Sequence, residues 1–395
     1  MINYRTKGNR KTCDHRLMDI IPAYMSAGVR REMPRAVGPR QPPLIPKPLL
    51  AESPNQVCLL QHSTLTECKK QPQRSLHIFP PISPFSHSQL MMSRRLVPSP
   101  FTLNRFAVVQ VRYNSTVGTG ARGSVIDTQH VPAPGAGHIK VLLLNRPEAR
   151  NAISRELLDN LTKHVNSIDA EKGKGPTRAL VLASNIDAAF CAGADLKERA
   201  KFTREETEAF LAQLRQTFTS LAALPIPTIS AISSMALGGG LELALSTNLR
   251  VFGSTSIVGL PETRLAIIPG AGGTYRLPKL IGESRALDMI LTGRRVSAAE
   301  AYFIGLCNRL VEVSPEEAAQ PGAAREKVIR ETIKLALDIC EGGPIALRQA
   351  MKAVRGFEKG AEAENQAYLG VVETEDRFEA LKAFAEKRKP CFKGR

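Results

Sequence analysis

An α/β domain followed by C-terminal helices is the fold class that this sequence predicts. Two short apolar runs, KVLLLN at 140–145 and RALVLAS at 178–184, are typical of buried strands, and a stretch of helical periodicity separates them. Alternation of strand, helix and strand favours an α/β domain. From about residue 326 the apolar spacing becomes helical, which predicts a helical subdomain at the C-terminus.

The helix between the first two strands is the best defined element of this pattern. Its apolar side chains share one helical face, and Ser154 stands where an N-cap is expected. That face comprises Leu157, Leu158, Leu161, Val165 and Ile168. Further strands are predicted over 227–233 and 248–253, and C-terminal helices over 326–340, 344–357 and 374–387.

The first 116 residues differ in composition from the rest of the chain. They carry 17 Lys and Arg against 5 Asp and Glu, whereas residues 117–395 carry 37 against 32. Residues 1–90 are rich in Pro, Ser and His, which predicts a disordered extension, or one that is untranslated because synthesis begins later. Residues 91–116 are Arg-rich and free of acids, which is typical of a mitochondrial presequence, with a merely basic tail as the alternative. Residues 117–138 are then expected to be a linker.

Histidine and cysteine usage excludes several catalytic mechanisms. No histidine follows His164, so a Ser-His-Asp or Cys-His arrangement cannot be built within residues 165–395. The seven cysteines form no CxxC pair, which favours isolated thiols over a zinc site. The uncharged run 216–241 is interrupted by Pro225 and Pro227, so we expect a buried strand flanked by loops and no membrane span.

Two glutamates lie in apolar, glycine-rich sequence. Glu242 follows the glycines 238–240, and Glu262 follows Pro261 in the sequence GLPETRLAII. Carboxylates are rarely buried without a function, because desolvation disfavours the charged form. A glycine turn that opens a helix also exposes unpaired N–H groups, which suit a developing oxyanion, and a second such turn surrounds Gly193. The combination predicts a proton-transfer site.

Three longer motifs carry a resemblance to a known family. FCAGADLKERA at 190–200, PTISAISSMALGGGLELAL at 227–245 and GLPETRLAIIPGAGGTYRLPKLIG at 259–282 resemble the enoyl-CoA hydratase (crotonase) family. The resemblance implies a crotonase-like spiral of ββα repeats, with a core over 139–325 and a C-terminal helical trimerisation subdomain over 326–395. It also implies a homotrimer or homohexamer and an acyl-CoA thioester substrate, with no metal and no cofactor beyond the coenzyme A of the substrate.

The same resemblance implies roles for individual residues. The backbone N–H groups of Ala194 and Gly239 would form an oxyanion hole for the thioester carbonyl. Glu242 and Glu262 would activate one water between them, and which of the two is acid or base stays open. The residues expected to contact coenzyme A are Ala149, Arg150, Asp195, Leu196, Lys197, Phe384 and Lys387.

The pair of glutamates favours a hydratase, because the double-bond isomerases of this superfamily typically keep one acidic group, at a position like Glu262. The motifs most resemble methylglutaconyl-CoA hydratases, which implies conversion of 3-methylglutaconyl-CoA to 3-hydroxy-3-methylglutaryl-CoA in leucine catabolism, in the mitochondrial matrix. Such a substrate requires a basic group at the acyl end, and Arg264 and Arg276 are near in sequence. A general short-chain enoyl-CoA hydratase of fatty-acid β-oxidation is the enzymatic alternative.

RNA binding is an alternative from a different class, because some of these hydratases bind AU-rich RNA through a lysine-rich first helix. Here the matching segment, 154–178, carries five basic and four acidic residues, a net charge of only +1. Phosphate binding requires clustered cations. The sequence therefore predicts no nucleic-acid partner.

Overall fold

The computed structural model describes residues 123–395. The extension expected over 1–90 and the presequence expected over 91–116 lie outside the described residues, as does the first part of the expected linker. Those interpretations therefore stay predictions.

Nine strands form two sheets within residues 123–395. The strands are β1 (Ile126–Pro132), β2 (His138–Leu144), β3 (Thr177–Ser184), β4 (Thr228–Ile232), β5 (Met235–Leu237), β6 (Leu249–Gly253), β7 (Ile257–Gly259), β8 (Arg295–Ser297) and β9 (Arg309–Val311). The larger sheet has the order β1-β2-β3-β4-β6-β9, and the smaller has the order β5-β7-β8. Only the pairs β1–β2 and β7–β8 are antiparallel in this part of the chain.

Twelve α-helices connect and cover these strands in the described range. They are α1 (Arg155–Ala170), α2 (Leu196–Arg199), α3 (Arg204–Ala223), α4 (Gly239–Leu245), α5 (Gly273–Ile281), α6 (Glu283–Thr292), α7 (Ala298–Phe303), α8 (Pro315–Ala319), α9 (Ala323–Cys340), α10 (Pro344–Arg355), α11 (Ala361–Leu369) and α12 (Glu375–Ala385). Short 3₁₀ helices span Pro147–Ala149, Glu262–Leu265 and Phe357–Lys359. None of the helices in residues 123–395 combines the length and the apolar character needed to cross a membrane.

From β4 to β7, successive strands alternate between the two sheets, which gives this part of the chain the course of a spiral. β4 belongs to the larger sheet and β5 to the smaller one, and α4 follows them. The next turn repeats the arrangement with β6, β7 and the helices after them. This is the ββα repeat that the sequence motifs imply, so the predicted fold class is confirmed.

The central strands of the larger sheet are buried on both faces. Leu142 and Leu180 pack on the side covered by α1 and α3, whereas Val141 and Val181 pack on the side covered by α9. Side chains of a strand alternate between faces, so a strand covered on both sides reads as a continuous apolar run. This is why the runs at 140–145 and 178–184 stand out in the sequence. Ser154 caps α1 by accepting a hydrogen bond from Leu157 N, as predicted.

The prediction of a linker over 117–138 is wrong for the part of this segment that the structure describes, because residues 126–132 form β1. This strand pairs antiparallel with β2 along its whole length. Its side chains are mostly half-buried or exposed, since β1 lies at the edge of the sheet. A polar edge strand carries little apolar signal, so its sequence, IDTQHVP, gave no clear pattern.

The boundary expected at residue 326 also requires correction. Helix α9 begins at Ala323 and packs against the larger sheet, where Val328, Ile333 and Ala336 are buried. It is therefore part of the core, and the helices that extend beyond the core begin with α10. Six helices of the described residues were not predicted: α3, α5, α6, α7, α8 and α11.

Candidate active site

Helix α4 begins at the triple-glycine turn and carries Glu242 in its first turn. Gly238 adopts φ +51° and ψ −127°, a conformation that L-residues with a side chain rarely adopt. A Cβ built on Gly240 would lie 2.2 Å from the carbonyl oxygen of Cys191, so only glycine permits this approach. The glycines therefore bring the start of α4 against the 190–194 turn.

Two backbone N–H groups converge where these turns meet. A Cβ built on Gly239 would lie 3.7 Å from Ala194 N, and one built on Gly193 would lie 3.5 Å from Gly239 N. Neither the Ala194 amide nor the Gly239 amide donates to an acceptor within residues 123–395. Gly239 is the first residue of α4, where an N–H has no intrahelical partner. The arrangement presents two free donors to one carbonyl oxygen.

Glu262 lies on the other side of the same glycine turn, in the short 3₁₀ helix after β7. A Cβ built on Gly238 would lie 3.0 Å from Glu262 Oε1. Glu262 Oε2 is buried and accepts no hydrogen bond from any described residue. Burial and the charge of Glu242 raise the pKa of Glu262 to about 7. This carboxyl group can therefore hold a proton near neutral pH.

Glu242 has a more polar environment. Its Oε1 accepts hydrogen bonds from Ala271 N and Gly273 N, each at 2.8 Å. Burial raises the pKa of Glu242, but these amide bonds and the positive charges of Arg276 and Arg215 act in the opposite direction. Hydrogen bonds to the charged form favour ionisation. Of the two glutamates, Glu242 is thus the better stabilised as a carboxylate.

One cavity of about 560 Å³ contains this group of residues. Its wall includes Ala194, Gly239, Glu242 and Glu262, the four residues predicted for catalysis. The remaining lining is mostly apolar, and most of it comes from α3 and the 265–271 segment. A mostly apolar cavity with a few convergent polar groups is typical of a substrate site.

Only one of the seven residues expected to contact coenzyme A, Leu196, lines the cavity. The Asp195 carboxylate caps α2 and pairs with Arg146 at 2.7 Å. Burial would raise the pKa of Asp195, but the bonds from Arg146 and the Glu198 and Lys197 amides outweigh it and lower the pKa. This carboxylate is therefore already engaged within the chain.

The other expected coenzyme A contacts lie outside the cavity wall. Arg150 O accepts a hydrogen bond from Ala192 N, which places Ala149 and Arg150 beside the turn that carries Ala194. Phe384 lies near the end of α12 and Lys387 lies two residues beyond that end. Neither lines the cavity, and Phe384 is 86% exposed. Lys197, which follows Leu196 in α2, is exposed.

Two arginines considered from sequence proximity have other contacts. Arg264 Nε donates to Thr292 O, and Arg276 Nη1 donates to Ala271 O. Neither lines the cavity, whereas Arg199 and Arg215 do. Neither was predicted from the sequence, for different reasons. Arg199 lies in the motif at 190–200, but the resemblance implied no role for it, whereas Arg215 belongs to no motif and lies on α3, which was not predicted. An amphipathic pattern over 204–223, with Phe210, Leu214, Phe218 and Leu221 buried, was the available signal.

Comparison with known proteins agrees with this geometry. The sequence model of the family described as enoyl-CoA hydratase/isomerase matches residues 135–395. An enoyl-CoA isomerase/hydratase of Zymoseptoria tritici is 61% identical over 277 residues, 70% of this chain and 90% of that protein. The mitochondrial methylglutaconyl-CoA hydratase 1 of Pyricularia oryzae is 57% identical over 325 residues, 73% of this chain and 92% of that protein.

A solved structure supports the same assignment. The enoyl-CoA hydratase from Bacillus anthracis superimposes with a TM-score of 0.62 at 39% identity, over 69% of this chain and 100% of that chain. The crotonase fold and the resemblance to methylglutaconyl-CoA hydratases are thereby confirmed. The chain belongs to the enoyl-CoA hydratase/isomerase family. It is an enzyme, and the hydratases of this family are hydro-lyases.

Proposed function

We propose that this enzyme adds water across the C2=C3 bond of 3-methylglutaconyl-CoA and forms 3-hydroxy-3-methylglutaryl-CoA, a step of leucine degradation. The observation that carries the hydration is the pair of buried glutamates at one cavity, next to two unpaired amides. The substrate is supported by the 57% identity to a protein named methylglutaconyl-CoA hydratase. The name of that relative and the basic, acid-free segment 91–116 support a mitochondrial location, and the matrix is the compartment that we propose.

In this mechanism the thioester oxygen accepts hydrogen bonds from the Ala194 and Gly239 amides. Glu242, the better stabilised carboxylate, takes a proton from water as the water oxygen bonds to C3. Glu262, whose pKa is near neutrality, gives its proton to C2. The negative charge that develops on the thioester oxygen is stabilised by the two amides. The two groups titrate as a coupled pair, and the chemistry requires no metal or further cofactor.

The substrate is tested by comparing kcat/KM of the full chain on 3-methylglutaconyl-CoA and crotonyl-CoA. We expect a preference for 3-methylglutaconyl-CoA of at least about tenfold, since a pocket built for a polar group discriminates against substrates that lack it. A preference for crotonyl-CoA would instead indicate a short-chain hydratase of β-oxidation. Activity on neither substrate would contradict the proposed hydration.

The mechanism predicts a bell-shaped pH profile of kcat/KM. Glu262 acts as an acid, so activity should fall above its pKa of about 7 as it loses its proton. Activity should also fall at low pH, when Glu242 becomes protonated. Initial rates measured between about pH 5 and pH 9, a range that spans the titration of both catalytic groups, test this directly. A rate that stays constant from neutral to alkaline pH would contradict an acid role for Glu262.

The apolar surface of the C-terminal helices supports a homotrimer or homohexamer. Phe357 is 72% exposed, Leu369 76% and Phe384 86%, a concentration of large apolar side chains that water disfavours. Burial against neighbouring copies would also bring Phe384 and Lys387 near another subunit. The molar mass from light scattering tests this, and a monomer would contradict it.

Nucleic acid is not proposed as a partner. The α1 segment keeps acidic residues among its basic ones, and Lys172 pairs with Asp169. A filter-binding titration with AU-rich RNA that showed salt-sensitive affinity would overturn this interpretation.

A further inference from the structure

Two arginines line the active-site cavity without a role in the proposed proton transfers. They are Arg199 on α2 and Arg215 on α3. Neither forms an ion pair with a carboxylate within residues 123–395. A guanidinium with spare donors beside an apolar cavity is suited to an anionic ligand, because its planar fork matches a carboxylate.

Arg215 is held next to the proton-transfer site. Its Nε donates to Gly270 O at 2.7 Å, and the following residue, Ala271, donates its N–H to Glu242 Oε1. The two Nη groups of Arg215 donate to no acceptor among the described residues. The positive charge of Arg215 also acts to lower the pKa of Glu242, which places the guanidinium within electrostatic range of that carboxylate.

Arg199 has a different position. It ends α2, the short helix that begins with Leu196 and Lys197, which are expected to contact coenzyme A. Its guanidinium carbon lies 5.9 Å from the centroid of the Phe210 ring, a cation–π arrangement. Arg199 therefore belongs to the side of the cavity where the nucleotide part of the substrate is expected, whereas Arg215 belongs to the side of Glu242.

We propose that Arg215 binds a carboxylate at the far end of the acyl chain, so that the cavity selects enoyl thioesters that are dicarboxylic. The proposal rests on the proposed hydration, which places C3 of the substrate beside Glu242 and Glu262. In a glutaconyl chain the distal carboxylate is C5, which one methylene separates from C3. Arg215 is exposed, and its Nε is hydrogen-bonded to Gly270, the residue before the amide that binds Glu242. Its guanidinium therefore approaches the site from this side and can receive the distal carboxylate.

The test compares the full chain with Arg215→Met on 3-methylglutaconyl-CoA and on its distal methyl ester, which has the same skeleton without the charge. We expect Arg215→Met to lower kcat/KM for the acid on the order of 10- to 100-fold, because a hydrogen bond to a charged group is lost. For the ester, kcat/KM should change much less. Arg215→Lys keeps the positive charge but not the paired N–H donors of a guanidinium, so it should lower kcat/KM for the acid by an intermediate factor.

Arg199→Met serves as the matched control, because it removes the other arginine of the cavity. We expect it to change kcat/KM for the acid and the ester by the same factor. If Arg215→Met also lowers both by the same factor, Arg215 only supports the 270–271 turn and the proposal is overturned, although the hydration stands.

A binding measurement separates this proposal from the hydration itself. Saturated 3-methylglutaryl-CoA and its distal methyl ester cannot be hydrated, so calorimetry with them reports recognition alone. We expect the full chain to bind the acid more tightly than the ester and Arg215→Met to abolish the difference. An equal affinity for both compounds in the unaltered chain would overturn the role of Arg215, whether or not the enzyme proves to be a hydratase.

Discussion

Replacing Glu242 with Gln is expected to lower kcat by about 10²–10⁴-fold, and the Glu262→Gln change should have an effect of the same order. Hydration needs one group that takes a proton from water and another that gives one to carbon. An amide keeps the shape of either side chain but can do neither. The measurement is kcat on the preferred enoyl thioester at the pH of maximal activity. A nearly normal rate for either variant would exclude the two-carboxylate mechanism.

The pH dependence of thermal stability provides a control for the Glu262→Gln variant. The pKa of Glu262 in the folded chain, about 7, lies above its ordinary value of 4.5, so the folded state holds this proton more tightly than the unfolded state. The free energy of unfolding therefore falls as pH rises through this interval. Glu262→Gln cannot ionise, so at pH 8 its Tm should exceed that of the unaltered chain by about 2–4 °C. The difference should shrink as the pH falls toward 4.5.

Such a result would separate chemistry from folding. Burial of the charged Glu262 carboxylate lowers the stability of the folded chain. A variant that is inactive and yet more stable at alkaline pH has therefore lost a catalytic group without damage to the fold. A lower Tm at every pH would instead indicate that the amide disturbs the turn around Gly238.

The sequence predicted the parts of the fold whose signals are local. The strands at 140–145 and 178–184 are buried on both faces, and α1 carries both an N-cap and an apolar stripe. Other elements depend on distant partners. β1 exists because β2 offers an edge to pair with, and the apolar face of α9 contacts strands more than 100 residues earlier in the chain.

The candidate site shows the same division. Glu242 and Glu262 were identifiable because a glutamate in apolar, glycine-rich sequence is unusual, and the structure brings both to one cavity. Arg215 was missed because its significance comes from a hydrogen bond to Gly270, 55 residues along the chain. The spacing of residues in a helix does not reveal which loop that helix will contact.

The amide of Gly239 can be tested without changing a side chain that carries out chemistry. We expect Gly239→Pro to lower kcat by about 10²–10³-fold relative to Gly239→Ala, because proline lacks the N–H that binds the thioester oxygen. Gly239 is the first residue of α4, a position where proline is well tolerated. The ψ of Gly238, −127°, also lies outside the helical region that a following proline disfavours.

Gly239→Ala is the matched control, because it adds the same Cβ and keeps the N–H. That Cβ would lie 3.2 Å from Ile153 Cδ1, the end of a side chain that can shift slightly. The φ of Gly239 is not positive, so the backbone accepts an L-residue here. The two variants differ at the amide and the ring that replaces its hydrogen, so the ratio of their kcat values reports the loss of this donor together with the space that the ring takes from the thioester oxygen. Equal rates in the proline and alanine variants would remove Gly239 from the oxyanion hole and leave Ala194 as its only proposed donor.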